Sequence, residues 1–197
     1  MAGVSVYEPF PSAHGPDGHL VGWAAWGGGE EQTATIRWEN EGFTVVGKVS
    51  RERIEYVLRL TPTWRVSQFL LFRDLEEPDL WLATDGHGRW GEMNGAHLTE
   101  LDGCYDVDLA CTPFTNTLPI RRLPLLEGHA AELPVVSIDP ETLEVRVVRH
   151  LYARVGSHRW SDRVLPTGAV AEFDVDEHGL VIDQPDLFRR VIHSGDS

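Results

Sequence analysis

Basic residues are scarce in this 197-residue chain, which has 17 Lys and Arg against 31 Asp and Glu and a net charge of −14. Proteins that bind nucleic acid by general electrostatics hold its phosphates with Lys and Arg, so this charge excludes that class. Lysine itself is almost absent, because Lys48 is the only one. Any basic site in the protein is therefore a guanidinium site.

Cysteine and long apolar runs are also rare. Cys104 and Cys111 lack a Cys-x-x-Cys spacing, and the nine histidines show no paired spacing, so we expect free thiols and no zinc site. No run of about 18 apolar residues predicts a membrane span, and residues 1–10 have neither a basic nor an apolar export region. We expect a cytoplasmic protein with no metal and no other cofactor.

Helix signals are few, and alternation of apolar and polar residues dominates the pattern. In residues 34–39, Ala34, Ile36 and Trp38 alternate with polar neighbours, as they do in a half-buried strand. Residues 54–61, 144–156 and 169–176 alternate in the same way. Short segments rich in β-branched or aromatic residues predict further strands at 43–50, 65–73, 79–84, 105–110 and 133–138.

The longest alternating segment, 144–156, has an apolar face that begins with Val145 and Val147 and is interrupted by Arg149. The opposite face carries His150 and Tyr152 among charged residues. We expect His150 to lie at the surface or at a rim.

Gly, Asp, Asn and Pro between these segments supply the turns of an antiparallel meander. Ten or more strands cannot stay flat, so the sheet should curl into a barrel or roll, whose concave apolar face is a usual place for small apolar ligands. We predict one all-β domain over residues 1–197 with an ordered core at about 16–192. A short C-terminal helix could begin at Pro185, because apolar residues recur after it at helical spacing: Leu187, Phe188, Val191 and Ile192.

The least generic segment is 101–123. Its first half predicts a strand with Asp106 and Asp108 on one face, about 7 Å apart by the strand rise. Its second half is expected to be extended and not helical, because of Pro113 and Pro119. Arg121 and Arg122 should then point to opposite faces, so that at most one of them meets the two carboxylates.

This segment carries a family resemblance. The string Thr112-Pro-Phe-Thr-Asn-Thr-Leu-Pro-Ile-Arg-Arg122, together with Leu101-Asp-Gly-Cys104 and Asp106-Val-Asp-Leu109, resembles the signature of a bacterial family of putative glycolipid-binding proteins. Further matches are Asp85-Gly-x-Gly-x-Trp90 and the closing segment 173–191. The likeness covers roughly residues 20–192. It implies a long antiparallel meander wound into a spiral β-roll, similar in shape to bacterial lipoprotein carriers, and a function in binding glycolipids or other lipids.

Three interpretations of the Asp and Arg residues remain open. They form a structural network, or they clasp the polar headgroup of an amphiphile, or Asp106 and Asp108 act with Arg121 as the carboxylates of a hydrolase or isomerase. The favoured hypothesis is a binding protein, monomeric or homodimeric, that holds a small amphiphilic ligand with its apolar part in the concavity. The candidate ligand site consists of Asp106, Asp108, Asn116, Arg121, Arg122, Trp64 and Trp90.

The tryptophans in this set are included because an indole ring can stack on a sugar. Trp64 and Trp90 follow turn-like or polar residues and are expected to line a rim. Trp38 lies on the apolar face of its strand and is expected to belong to the core.

Overall fold

A computed structural model of the protein describes residues 6–29, 31–49, 53–74 and 76–191. The strands in these residues are β1 (His19–Ala25), β2 (Glu31–Glu39), β3 (Gly42–Val49), β4 (Ile54–Leu60), β5 (Val66–Phe72), β6 (Leu80–Thr84), β7 (Trp90–Glu92), β8 (Asp106–Leu109), β9 (Ala130–Ile138), β10 (Val145–Arg154), β11 (Arg159–Val164), β12 (Val170–Val175), β13 (Val181–Gln184) and β14 (Phe188–Val191). The α-helix α1 (Thr117–Arg122) follows a 3-10 turn at Pro113–Asn116.

The strands form one sheet, ordered from β7 to β1 and then from β14 to β8. We call β1–β7 the first meander and β8–β14 the second; β1 pairs with β14 and joins them. Neighbouring strands are antiparallel, except that β8 runs parallel to β9. The prediction of an all-β, curled antiparallel meander is confirmed, and the sheet is open rather than a closed barrel.

Curling brings the approach to β8 against the first meander. Val66 N donates a hydrogen bond to Tyr105 O at 3.1 Å, and Gly103 N donates one to Gly88 O at 2.8 Å. Gly47 of β3 permits a close approach within the sheet, because a side chain there would overlap the Tyr56 ring, whose nearest atom is 2.0 Å from the position of a Cβ.

The inside of the roll is filled with side chains. Leu58, Phe69 and Leu71 of the first meander are fully buried in one cluster with Phe114 and Leu118, from the segment that contains α1. A second cluster lies on the second meander and includes Trp160 and Phe173, among others. The expected apolar concavity is therefore a packed core rather than an open lumen.

The expectation that residues 112–123 are not helical was wrong. Pro113 begins the 3-10 turn, and Pro119 is the third residue of α1. Backbone N–H groups in a first helical turn have no intrahelical partner, so proline costs little there. Thr112 Oγ1 accepts a hydrogen bond from Phe114 N at 3.3 Å and caps the turn.

The predicted C-terminal helix was also wrong. Phe188–Val191 form β14, which pairs with β1, and the turn before it contains Asp186 with a φ of 67°. A two-turn helix nucleates poorly, whereas pairing with β1 satisfies the backbone groups of both strands. Ile192, at the end of the predicted helix, lies outside the described residues.

Strand β10 turns its polar face inward. His150 and Tyr152 are buried, whereas Val147 and, just after the strand, Val155 are exposed. The expectation of a surface histidine at position 150 was therefore wrong, and the inner face of the second meander contains titratable groups.

Candidate functional site

A cleft with a volume of about 650 Å³ opens at one end of the roll. We call it the aromatic cleft. Trp38 and Phe43, at the tip of the β2–β3 hairpin, form one side of it together with residues 62–65, which connect β4 to β5. Residues 120–124, at the end of α1, form another side, and Val6 and Pro9 complete the lining. Its volume is within the usual range of small-molecule sites, roughly 300–1,000 Å³.

Aromatic rings contact one another along the cleft. The Trp38 ring lies edge-on to Phe43, with 4.8 Å between the ring centroids, and Phe43 lies 5.0 Å from Trp64. Trp38 is 36% exposed. The expectation that Trp38 is a core residue was therefore wrong, because Trp38 lies near the end of β2, at the open end of the sheet.

Trp64 has a left-handed backbone conformation, with a φ of 64°. This conformation costs a residue other than glycine about 1–2 kcal/mol. Two backbone hydrogen bonds hold the loop, from Thr61 N to Arg65 O and from Trp64 N to Thr61 O, both at 2.9 Å. The loop places the indole ring of Trp64 in the wall of the cleft, although little of the side chain is exposed.

Arg121 is held as a structural cation at the back of the cleft. Its guanidinium carbon lies 4.6 Å from the ring centroids of both Phe10 and Trp64. Its Nη1 donates hydrogen bonds to Glu8 O, at 3.0 Å, and to His178 O. Burial lowers the pKa of Arg121 to about 10, so the side chain remains charged at neutral pH. Arg121 thus fastens the N-terminal segment and the β12–β13 turn to α1.

Arg122 meets Asp106, and the two side chains form a bidentate ion pair. Nε donates to Oδ1 at 3.0 Å, and Nη2 donates to Oδ2. Asp106 is 1% exposed, whereas Arg122 lines the aromatic cleft. Burial raises the pKa of Asp106 more than the contact with Arg122 lowers it. The helical geometry of α1 decides which arginine meets the carboxylate, so the part of the enzyme hypothesis that pairs Arg121 with the two aspartates is not supported.

Asp108 lies two residues further along β8 and belongs to a buried polar network. Thr115 Oγ1 donates a hydrogen bond to Asp108 Oδ1 at 3.2 Å. Among the described residues no arginine contacts Asp108. Burial raises the pKa of Asp108, and the nearby charge of Asp162 adds to this effect, whereas His150 opposes it.

His150 and Asp162 form the adjoining part of this polar network. Nδ1 of His150 lies 2.9 and 3.0 Å from the two carboxylate oxygens of Asp162. Burial by itself lowers the pKa of His150, but the hydrogen bond and charge of Asp162, together with Asp108 and Asp106, raise it overall. The buried Tyr152 hydroxyl donates to Asn116 Oδ1 at 2.8 Å, which fixes Asn116 inside this network.

Trp90 does not line a rim. It is almost completely buried, and its Nε1 donates a hydrogen bond to Cys104 O at 3.0 Å. Cys104 and Cys111 do not form a disulfide, and burial raises the pKa of Cys104 to about 11. Both Trp90 and Cys104 are core residues in this structure.

Four residues near the site were not singled out by the sequence, namely Phe43, Arg65, Tyr105 and Asp162, and His150 was named only as a surface or rim histidine. Arg65 and Phe43 flank turns. Their positions could have been found in the sequence by treating aromatic and basic residues at hairpin ends as candidate site residues. The signal for His150 and Asp162 is weaker, because in sequence they belong to ordinary polar strand faces.

Two features, a metal-binding cluster and a membrane-spanning helix, are absent from the described part of the chain. Its His, Cys, Asp and Glu side chains do not come together in groups of three or more that could hold a metal ion. None of its helices is long and apolar enough to span a membrane.

The fold and the site define an open, curled all-β protein with an aromatic and guanidinium-lined cleft at one end. Residues 23–190 match the model of the family described as "Putative glycolipid-binding", and the chain belongs to this family. It is similar to a DUF1089 family protein from Pseudomonas aeruginosa, whose crystal structure superposes with a TM-score of 0.71. The two chains are 32% identical over 85% of this chain and 92% of that one. No curated protein matches the chain.

Proposed function

We propose that this protein binds single amphiphilic molecules of the glycolipid type in the aromatic cleft. The observation that carries the proposal is the lining of the cleft: Trp38 and Phe43 offer ring surface, the buried Trp64 ring packs against Phe43, and guanidinium groups lie beside them. Ring faces pack on pyranose rings and on alkyl chains, whereas guanidinium groups donate hydrogen bonds to hydroxyl and oxyanion groups. The family description agrees with this chemistry.

The packed interior limits how much of an amphiphile the protein can enclose. Because side chains fill the roll, the cleft suits a headgroup and the first part of an acyl chain. Asp106 orients the Arg122 guanidinium through their ion pair. This part of the predicted Asp and Arg site therefore contributes to binding only through the position of Arg122. Asp108 and Asn116 then act within the polar network, and Arg121 and Trp64 form the wall.

The test compares two exposed tryptophans. Trp38→Ala removes a ring from the cleft, whereas Trp26→Ala removes a similarly exposed ring, at 41%, that is not part of the cleft lining. Binding of an alkyl glycoside below its critical micelle concentration is measured by isothermal titration calorimetry. We expect Trp38→Ala to weaken binding about three- to tenfold, since a ring contact contributes about 0.5–1.5 kcal/mol, and Trp26→Ala to leave it unchanged.

Native mass spectrometry of protein purified gently from its own cells gives an independent readout. A retained lipid that is lost in Trp38→Ala and kept in Trp26→Ala supports the proposal. A ligand-free mass in every preparation, together with no heat from the alkyl glycoside, would contradict it.

A catalytic role for Asp108 is the second candidate function, and the surroundings of its carboxyl group favour it. Asp108 has no guanidinium partner within the described residues, its pKa is raised, and the His150–Asp162 pair lies near it. A carboxyl group whose pKa is raised, with a histidine nearby, is a candidate for general acid catalysis. Asp108→Asn separates the two functions. Ligand affinity should be kept in both cases, but a hydrolase or isomerase should also lose its turnover of the ligand.

A further inference from the structure

The charges around the aromatic cleft specify the kind of headgroup that it suits. Arg65, Arg121 and Arg122 line the cleft, and no Asp or Glu is among its described lining residues. The whole chain has 31 acidic residues against 17 basic ones, so the cleft is a local excess of positive charge on an acidic protein. Partly enclosed sites with walls of low dielectric constant focus such a charge and concentrate anions.

Among the described residues, two arginines of the cleft have no carboxylate partner: Arg121, which donates to backbone carbonyls, and Arg65. The Arg65 guanidinium carbon lies 4.6 Å from the centroid of the Tyr105 ring, and none of the ion pairs among the described residues includes Arg65. Arg122 lies 5.7 Å from the same ring and directs two nitrogens at Asp106. Asp106 is within electrostatic range of both arginines and balances the charge of one. Two of the three positive charges at the cleft, those of Arg65 and Arg121, are therefore left without a carboxylate partner among the described residues.

The apolar and charged parts of the cleft lie next to each other. Trp64 is followed directly by Arg65 in the β4–β5 loop, and Trp64 contacts Phe43, which contacts Trp38. A molecule that fills the cleft therefore meets an aromatic wall and a pair of guanidinium groups at once. Guanidinium groups bind phosphate and other oxyanions with paired hydrogen bonds, which a neutral hydroxyl group cannot match in charge.

We propose that the ligand of this cleft is an anionic amphiphile, with its phosphate or other oxyanion between Arg65 and Arg122 and its apolar part on Trp38 and Phe43. This inference rests on the proposed function, because it specifies the headgroup of the molecule bound there.

The experiment uses three probes on the full chain: lysophosphatidic acid, a monoacylglycerol with the same acyl chain, and inorganic phosphate. Calorimetric titrations below the critical micelle concentrations give the affinities at low and high salt. We expect lysophosphatidic acid to bind at least tenfold more tightly than the monoacylglycerol, and the difference to shrink as salt screens the charges. Inorganic phosphate alone is expected to bind much more weakly than lysophosphatidic acid, since it lacks the apolar part.

Two variants locate the effect. Arg65→Gln removes an unpaired cation and should weaken lysophosphatidic acid binding about tenfold and monoacylglycerol binding much less. Arg163→Gln, at an exposed position of β11 and not part of the cleft lining, is the matched control and should change neither affinity. Circular dichroism and thermal unfolding establish that both variants are folded.

Each other result overturns a defined part of the inference. Equal affinities for the two lipids, unaffected by Arg65→Gln, would overturn the anionic headgroup and leave amphiphile binding intact. Phosphate binding as tightly as lysophosphatidic acid would overturn the amphiphile in favour of a free anion. Binding of neither lipid, nor of the alkyl glycoside in the preceding experiment, would overturn this inference and the proposed function together.

Discussion

The two meanders have similar alternating strands but bury different residues. The inner face of the first meander is apolar, with Val45, Leu58 and Phe69 completely buried. The inner face of the second meander carries His150 and Asp162 beside the carboxylates of β8, and valines are exposed on its outer face. The difference indicates that the first meander stabilises the fold by apolar packing, whereas the second combines its apolar cluster with charged and titratable groups in its interior.

The largest expected effect tests the apolar meander. Phe69→Ala should lower the free energy of unfolding by about 3–5 kcal/mol, because it removes a fully buried ring and leaves a cavity. Urea unfolding at pH 5.5 and pH 8 should give the same loss at both, since no titratable group is involved. A loss that changes strongly with pH would argue against the contrast between the meanders.

The next effect concerns the ion pair of the second meander. Arg122→Gln leaves Asp106 buried without its partner, which typically costs about 3–5 kcal/mol, and we expect this full loss at pH 8. At pH 5.5 the loss should be smaller, because the raised pKa of Asp106 rises further without Arg122 and the carboxyl group takes up a proton. Urea unfolding at the two pH values measures the difference.

Arg159→Gln is the control for this prediction. Arg159 forms an exposed ion pair with Glu172, so its loss should cost no more than about 1 kcal/mol. Equal losses of unfolding free energy in Arg122→Gln and Arg159→Gln would show that the burial of Asp106 does not add to the cost of removing its partner.

A smaller effect is the pH dependence of the natural protein. The pKa of Asp106, Asp108 and His150 is raised in the folded state. A folded state that binds protons more tightly than the unfolded chain loses stability as the pH rises, from about pH 4 for the carboxyl groups and from about pH 6.5 for the histidine. We therefore expect the contribution of this network to stability to decrease between pH 5 and pH 8.

Asp108→Asn should remove part of that slope. It keeps a group that can accept a hydrogen bond from Thr115 but has no charge to bury, so stability at pH 8 should rise by about 0.5–2 kcal/mol. Equilibrium unfolding across the pH range measures both the slope and the gain. A variant less stable than the natural protein at every pH would show that the Asp108 carboxylate is needed for folding.

The smallest effect is expected on the outer face of β10. Val147→Thr should change the free energy of unfolding by less than about 0.5 kcal/mol, because the side chain is exposed. The same change at Val45, which is fully buried in the first meander, places a hydroxyl group in the core and should cost about 1–3 kcal/mol. Similar values at the two positions would mean that the apolar face of β10 is covered in solution.

Alternation predicted the strands well wherever one face is apolar and buried. Ile36, Leu58 and Phe173 lie inside as their patterns indicated. Strand β10 could not be oriented in this way, because both of its faces mix polar with apolar residues, and the buried network that receives His150 comes from β8 and β11. Short strands such as β13 and β14 contain too few residues for a period to be recognised.

The candidate site was predicted in part. Trp64, Arg121 and Arg122 do line one cleft, and Asp106 does meet an arginine. Trp90 was misplaced because a turn before an aromatic residue does not show whether the ring points to solvent or to the core. Arg65 was missed and Trp38 was assigned to the core because their relation to Arg122 arises from the curl of the sheet and has no counterpart in sequence spacing.

By itself the sequence determined an acidic, all-β chain with guanidinium groups as its basic side chains and an unusual segment at 101–123, because composition and alternation depend on local properties of the residues. The tertiary structure decided which faces are buried, which arginine meets Asp106, and which aromatic rings gather at the open end. These outcomes depend on the curl of a fourteen-stranded sheet, which brings distant parts of the chain into contact. They also depend on the rotation of about 100° per residue in α1, which separates the directions of Arg121 and Arg122.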